Sequence, residues 1–476
     1  MASTADLPYK MHVTPDNTGL WHIKQTDEAA KKVSELLQED MEKHHVFFNQ
    51  EGFHNHIPHH LLALYGTGAP APALQAAYDT NANYQRPALP PHPTTTTTTT
   101  TTSPAPAATP TFHPWPSAAA PSLGNETYYP DFLRFFQAET RALGSWQAVL
   151  KRYLFAKDDD TLLVRLFAGF LHPLIQLMYG MEWGQEAVVA EALAQTAVHG
   201  GEIGGFLLGA ERRAREMEME SGGGGKGGEG GGKGEGVLEL MERLRGDGKL
   251  AGAAREGDAN KVRDGVLARA GEEMIALAAR VRVMPEEVEE RTAEMFDAAV
   301  FVAAAAALVK EGKQPKFDFF LIHHLNASPF FVTINAQDWI PAETKARLLE
   351  WKIRMDLLQY AARGAPELSA EKLAAYQPRK PAVGGSLADI VSRLHNFGDD
   401  GHSIKVARAM VICRNICKKY EDEGKDWLKV KGDDMWEKVC HLAVDSVEAP
   451  GPRWLRSCGF DEAWKVCSTV ISRKKV

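Results

Sequence analysis

The chain has few cysteines and no long apolar run, and these two features limit the classes of protein to which it can belong. The five cysteines are all in the last third of its 476 residues, at Cys413, Cys417, Cys440, Cys458 and Cys467. An odd number without paired spacing is not typical of a secreted disulfide framework, so we predict buried free thiols. The most apolar run, 298–309, is about half as long as a bilayer-spanning helix and therefore indicates a core helix.

The chain also lacks an excess of basic residues. It has 54 lysines and arginines against 62 aspartates and glutamates, and a net charge of −8. This balance argues against nucleic acid as the main partner. The first ten residues contain no apolar segment of the kind that signal peptides carry. The expected location is the cytoplasm, without attachment to a membrane.

Short motifs of well-known cofactor sites and nucleophiles are missing as well. No C-x-x-C, H-E-x-x-H or G-x-S-x-G pattern occurs in the chain. A formal G-x-G-x-x-G match lies in the glycine-rich run 221–236, but no strand precedes it, so it does not indicate a dinucleotide site. Neither alternating strands nor a β-α alternation is present, and the predicted fold class is therefore all-α.

Helical periodicity covers most of the chain and is interrupted twice. One helix is predicted to begin with Thr26 or Asp27 as its N-cap, and the next near Pro58 with Asn55 or His56 as its cap. The interruptions are a proline- and threonine-rich segment, 87–123, and a glycine-rich segment, 217–236. Both have little to bury, so disorder is expected in them. We predict one helical domain over residues 20–476 with two disordered inserts.

Histidines gather in four places beside or inside apolar helices. These places hold His54, His56, His59 and His60; His172; His323 and His324; and His395 with His402. A single buried histidine is more often a hydrogen-bonded core residue than a ligand. Four clusters nevertheless favour a polar centre inside a helical protein, because neutral imidazole is the commonest metal ligand and suits iron, copper and zinc. Pro173 is expected to bend or break the helix at His172, which frees a carbonyl and can aim a side chain inward.

The stretch 394–405 is the densest polar segment of the chain. His402 lies three residues before Lys405, so both side chains reach the same side of a predicted helix. Lys405 also shares an apolar stripe with Ala409 and Ile412. Two interpretations stay open. Either the lysine extends to solvent from the edge of the core, or it is buried with a partner at a reactive centre.

Several longer stretches resemble the fungal questin oxidase family, which includes the Baeyer–Villiger oxidase-type proteins of anthraquinone and aflatoxin gene clusters. They are GFHNHIPHHLLALYGTGA at 52–69, YPDFLRFF at 129–136, GFLHPLI at 169–175 with YGMEW at 179–183, and GDDGHSIK at 398–405. The resemblance covers nearly the whole chain apart from the two inserts. It implies an oxidoreductase that uses dioxygen to open a ring of an aromatic polyketide of the anthraquinone type.

The resemblance implies two kinds of centre. In a Baeyer–Villiger-type monooxygenase, His402, Lys405 and His172 are catalytic, and NADPH is the cofactor or no cofactor is bound. In a non-heme iron dioxygenase, Fe(II) is held by histidines and a carboxylated lysine. The residues that match this ligand set are His60, His172, His324, His402 and Lys405, with His395 as an alternative to His402. A helical binding protein without catalysis is the third hypothesis.

Overall fold

The computed structural model describes residues 4–93, 112–220, 234–380 and 386–469. Over these ranges the chain is helical, and β-structure is limited to isolated bridges such as Phe47–His54. This confirms the all-α prediction. The chain divides into two units: unit 1 is Met1–Ile203 with His395–Gly401, and unit 2 is Gly204–Leu394 with His402–Val476. The prediction of one helical domain over 20–476 stays a prediction.

The core of unit 1 lies around a helix that is buried along nearly its whole length. Residues 187–198 of this helix, α8 (Glu186–Val198), are all buried, and α8 packs against α4 (Tyr129–Leu143) and α7 (His172–Glu182). The α-helices of unit 1 are α1 (Asp27–Lys43), α2 (Ile57–Gly66), α3 (Ala71–Ala82), α4 (Tyr129–Leu143), α5 (Trp146–Val149), α6 (Thr161–Leu166), α7 (His172–Glu182) and α8 (Glu186–Val198). Short 3-10 helices at Thr4–Tyr9, Gly19–Trp21, Glu126–Tyr128 and Gly169–Leu171 and a π-helix at Leu150–Leu154 connect them.

Unit 2 is built around α13 (Val288–Ala306), which contains most of the run 298–309 that was predicted as a core helix. Residues 298–306 of α13 are buried, as expected. The α-helices of unit 2 are α9 (Gly204–Glu220), α10 (Val237–Gly246), α11 (Gly248–Ala251), α12 (Ala268–Ala278), α13 (Val288–Ala306), α14 (Phe319–Ala327), α15 (Pro329–Asn335), α16 (Ala342–Ala362), α17 (Ala370–Ala374), α18 (Leu387–Ser392), α19 (His402–Asp422) and α20 (Asp433–Glu448). A π-helix at Lys261–Leu267 and 3-10 helices at Pro285–Glu287 and Asp461–Trp464 complete the unit.

The helix starts follow the capping signals of the sequence. The Thr26 hydroxyl accepts a hydrogen bond from the Ala29 amide, at 3.1 Å, and caps α1. Pro58 lies in the first turn of α2, where its missing N–H leaves no bond unmade. All five cysteines are buried free thiols, as predicted. None of the helices in the described ranges combines the length and hydropathy that crossing a bilayer requires.

Parts of the two segments predicted to be disordered are folded. In 87–123, Phe112 is buried and stacks on Phe132 of α4, with ring centroids 4.3 Å apart. In 217–236, α9 continues to Glu220, and Glu235 pairs with Arg243. The boundaries of the two segments were predicted from composition. Composition does not show that a single buried aromatic residue or a single ion pair can hold one end of a segment against the folded chain. The central parts of both segments, 94–111 and 221–233, lie outside the described residues.

Candidate active site

Two histidines of unit 1 face each other through their Nε2 atoms. His56, directly before α2, and His172, the first residue of α7, are both buried, and these atoms lie 2.9 Å apart. The Nδ1 of His172 lies 2.7 Å from the carbonyl oxygen of Gly169. A carbonyl only accepts hydrogen bonds, so Nδ1 carries the proton and Nε2 presents a lone pair. His56 can donate a proton to that lone pair, or both nitrogens can bind one cation.

A left-handed turn fixes the position of His172. All three residues of the turn Gly169–Leu171 have positive φ angles, of 54°, 54° and 66°, which residues other than glycine rarely adopt. The expected break is present directly before His172, and Pro173 lies in the first turn of α7, which the fixed φ of proline suits. A Cβ on Gly169 would overlap the imidazole of His199, so the turn requires glycine there.

Two further histidines of unit 1 lie against this pair, and neither was predicted to have a role. The ring of His54 stacks on that of His172 at 3.9 Å, and His54 Nε2 lies 2.8 Å from His199 Nε2. His199 faces the carbonyl of Gln195 through Nδ1, at 2.6 Å. Burial lowers the pKa of His199 to about 4, so it is neutral at pH 7. Its only sequence signal is its position directly after an apolar helix.

His60 and His395, two of the predicted ligands, have other neighbours in unit 1. His60 Nδ1 lies 3.5 Å from Asn81 Nδ2, and the His60 side chain packs on Gly401, where a Cβ would not fit. His395 Nε2 lies 3.2 Å from the hydroxyl of Thr67. Unit 1 therefore pairs His56 with His172. Spacing alone could not separate His56 from His60, because residues four apart share a helix face.

A second histidine pair lies within unit 2. The Nε2 atoms of His323, on α14, and His402, the first residue of α19, lie 3.1 Å apart, and both side chains are buried. His323 Nδ1 faces the carbonyl of Phe319 at 2.5 Å, so its Nε2 also presents a lone pair. The ring of Phe319 lies 4.6 Å from that of His323 and 5.1 Å from that of His402. Burial, the nearby His402 and, to a lesser degree, Lys405 lower the pKa of His323 well below its usual value.

His324, the predicted ligand beside His323, belongs to a different contact of unit 2. Its Nδ1 lies 2.6 Å from an oxygen of Asp356 on α16. Both oxygens of Asp356 accept hydrogen bonds from Lys352 Nζ at 2.7 Å, and all three side chains are buried. The structure pairs His323, and not His324, with His402. The sequence held no signal to choose between them, because α14 is buried on all sides in its second half.

Lys405 is buried on the first turn of α19, and only 3% of it is exposed. Ala409 and Ile412 of the same stripe are buried as well. The interpretation of Lys405 as a lysine that extends to solvent from the edge of the core is therefore wrong. Its position one turn after His402 agrees with the other interpretation, a lysine buried next to reactive side chains.

Facing imidazoles at these distances fit two kinds of chemistry. As hydrogen-bonded pairs they hold and move a proton between a donor nitrogen and a lone pair. As ligands, two nitrogens at right angles and about 2.1 Å from one ion lie about 3.0 Å apart, which agrees with both pairs. Each pair also has one member whose Nδ1–H is held by a carbonyl, the usual support of a ligating imidazole. The donor set therefore fits a metal ion of the kind that binds imidazole.

Comparison with known proteins agrees with the resemblance. A family model described as "Questin oxidase-like" matches residues 53–410. The chain is 36% identical over 449 residues to Oxidoreductase AflY of Aspergillus parasiticus, which covers 93% of this chain and 84% of that protein. It is 33% identical over 455 residues to Questin oxidase of Aspergillus fumigatus, with 93% and 95% covered. It is 32% identical over 471 residues to Baeyer-Villiger oxidase ptaJ of Pestalotiopsis fici, with 97% and 98% covered. The chain belongs to the questin oxidase-like family of oxidoreductases.

Proposed function

We propose that this protein performs a Baeyer–Villiger-type oxygenation that opens a ring of an anthraquinone or of its hydroquinone. The relatives named questin oxidase and Baeyer-Villiger oxidase support the reaction type and the substrate class. The observation that carries the proposal is the presence of buried, facing histidine pairs in both units, at 2.9 Å and 3.1 Å. Such pairs exchange protons next to an apolar substrate without exposing a charge to water.

The reaction needs proton transfer, dioxygen and two electrons. One oxygen atom is inserted between a ring carbon and its carbonyl carbon, and the other leaves as water with two protons and two electrons. The product of this step is a cyclic ester, and addition of water across its acyl C–O bond then opens the ring to a carboxylic acid and a hydroxyl group. The electrons come from the reduced ring itself or from NADPH, the cofactor that the resemblance implies. We assign the removal of a phenolic proton to His172, whose Nε2 presents a lone pair. His402 donates or returns a proton, and Lys405 stabilises the negative charge of the phenolate.

Metal-dependent dioxygenation is the second candidate function. It is favoured by the separations within the pairs and by the carbonyl that holds one Nδ1–H in each. His172, His402 and Lys405 stay in the proposed ligand set, and the contacts within each unit favour His56 over His60 and His323 over His324. Bound Fe(II) would supply a site that activates dioxygen. The protein side chains would still position the ring and hold its phenolic proton.

Anaerobic mixing followed by a pulse of oxygen tests the main proposal. The protein is incubated with a reduced anthraquinone without nicotinamide, then exposed to oxygen-18, and the products are analysed by mass spectrometry. We expect a ring-opened product with one labelled oxygen atom. Ring opening only after NADPH is added would show that the ring does not supply the electrons. If no ring-opened product forms in any arm of the experiment, including one supplemented with iron, the proposal is overturned.

Metal analysis separates the two candidate functions. Substoichiometric iron in the purified protein, with activity that survives chelation, is expected for the metal-free reaction. One iron per chain and loss of activity on chelation, restored by Fe(II), would establish the second candidate.

A further inference from the structure

Asn326 of unit 2 is a buried amide in an unusual situation. It lies on α14, and only 2% of it is exposed. Across the described ranges of the chain, neither its Oδ1 nor its Nδ2 has a hydrogen-bond partner. Nearly all buried polar side-chain atoms in proteins are hydrogen-bonded. An amide with both ends unsatisfied therefore needs an explanation.

The position of Asn326 places it beside the histidine pair of unit 2. Residues three apart on a helix have Cβ atoms about 5–6 Å apart and lie on one face. Asn326 lies three residues after His323, whose Nε2 faces His402. The amide is therefore a neighbour of His323, which faces His402, the residue that donates or returns a proton in the proposed reaction.

Two neighbours of Asn326 along the chain are apolar and cannot satisfy the amide. They are Ile322, four residues before it on α14, and Phe330, four residues after it on α15, and both are fully buried. Leucine has nearly the shape of asparagine and leaves no polar atom unpaired, so it would stabilise the fold more than the amide does. The amide is thus disfavoured by folding alone, which is the pattern of a residue kept for binding.

We propose that Asn326 is a substrate-positioning residue that recognises a ring ketone next to a phenolic hydroxyl. This inference rests on the proposed function and specifies its substrate. The amide offers one donor group and one acceptor. Nδ2–H donates to the ketone oxygen, and Oδ1 accepts from the hydroxyl. The hydroxy-ketone edge of the ring then lies next to His323 and His402, and His402 donates or returns a proton there.

The test compares Asn326→Leu with a matched control on the next helix, Asn335→Leu. Asn335 lies on α15, and its Nδ2 donates to the Thr292 hydroxyl at 2.9 Å, so its amide is satisfied. The melting temperature is measured without ligand. Binding of 1-hydroxyanthraquinone and of unsubstituted anthraquinone is measured without oxygen, by quenching of tryptophan fluorescence.

We expect Asn326→Leu to raise the melting temperature by about 1–3 °C, because it removes an unsatisfied amide. It should also lower the preference for the hydroxylated quinone by about 10-fold, the usual effect of one lost neutral hydrogen bond. Asn335→Leu should lower the melting temperature and leave the preference unchanged. In turnover, Asn326→Leu should raise KM more than it lowers kcat.

A lower melting temperature for Asn326→Leu would overturn the inference, because it would reveal a structural partner of the amide. An unchanged preference between the two quinones would overturn it as well. Because binding is measured without oxygen, a failure of ring opening counts against the proposed function and not against Asn326. Failure of the unsubstituted protein to bind either quinone would overturn both.

Discussion

The protonation of each key histidine is set by a contact within its own segment of chain. His172, His199 and His323 each direct Nδ1 at a main-chain carbonyl three or four residues earlier. That carbonyl accepts a hydrogen bond from Nδ1–H, so the proton stays on Nδ1 and the Nε2 lone pair faces another imidazole. Local backbone geometry thereby decides which nitrogen is available for a proton or a metal.

The left-handed turn before His172 gives the first prediction. Gly169→Ala places a methyl group against His199 and forces alanine into φ of 54°. We expect the free energy of unfolding to fall by about 2–4 kcal/mol, and kcat/KM to fall as His172 moves. Gly144→Ala is the control, because Gly144 also has positive φ but no atom near its Cβ position. It should cost about 1–2 kcal/mol and keep activity. Equal effects of the two changes, measured by urea unfolding and kinetics, would contradict the assigned role of the turn.

The proton-transfer roles give the second prediction. His172→Asn and His402→Asn should each lower kcat/KM by about 10²-fold to 10⁴-fold, because each removes a group that holds the transferred proton. The double variant should be little slower than the slower single variant if the two histidines serve one step. Steady-state kinetics with a reduced anthraquinone provide the measurement.

His12→Asn is the control for these histidine variants, since His12 is exposed. It should leave kcat/KM unchanged. Full activity in both single variants would contradict the proton-transfer roles assigned to His172 and His402.

At the scale of the helices, the capping signals determined where elements begin. Ser386 and Asp389, the S-x-x-D pattern before the apolar residues of α18, form a capping box at the start of that helix. Helix ends were less predictable: α18 ends at Ser392, although its apolar pattern continues to Leu394. Caps at the N-terminus depend on residues within one turn, whereas the end of a helix depends on what the next segment packs against.

Lys352, Asp356 and His324 connect α14 to α16 and give the third prediction. Asp356→Asn leaves the fully buried Lys352 without a charged partner. We expect the free energy of unfolding to fall by about 3–5 kcal/mol, as is typical when one member of a buried ion pair is removed. The double variant Lys352→Met with Asp356→Asn should lose less, because no uncompensated charge remains.

The control for this ion pair is Asp434→Asn on α20. It breaks the pair between Lys438 and Asp434, whose carboxylate is 81% exposed. Screening by water limits the expected loss to about 1 kcal/mol or less. Urea unfolding compares the three variants, and a loss at Asp356 no larger than that at Asp434 would contradict the buried ion pair.

At the scale of the whole molecule, the many buried neutral histidines make stability depend on pH. Burial lowers the pKa of His199 to about 4, and it lowers the pKa values of His45 and His323 as well. Between pH 6.5 and about 4 the unfolded chain binds protons that the folded chain does not bind. The contribution of these neutral histidines to the free energy of unfolding is therefore fully present above pH 6.5, and it decreases as the pH falls through this window.

The fourth prediction isolates His199 within this pH dependence. Between pH 7 and pH 5, His199 alone should account for a loss of about 2 kcal/mol in the free energy of unfolding. The His199→Gln variant should lose about that much less than the parent protein over the same interval, because glutamine does not titrate. Urea unfolding at both pH values measures the difference, and identical pH profiles would contradict a neutral His199.

The sequence by itself determined the all-α fold, the helix starts, the buried thiols and the histidine-rich segments. The fold class and the helix starts depend on periodicity and capping, which act over a few neighbouring residues, and the other two follow from the number and spacing of cysteines and histidines. Only the tertiary structure decided that His56 and His323, and not His60 and His324, face their partners, and that Lys405 is buried. His323 and His402 are 79 residues apart, and His54 and His199 are 145 apart. The packing of helices that are distant in the chain decides which imidazoles are in contact. A pattern of neighbouring residues does not contain this information.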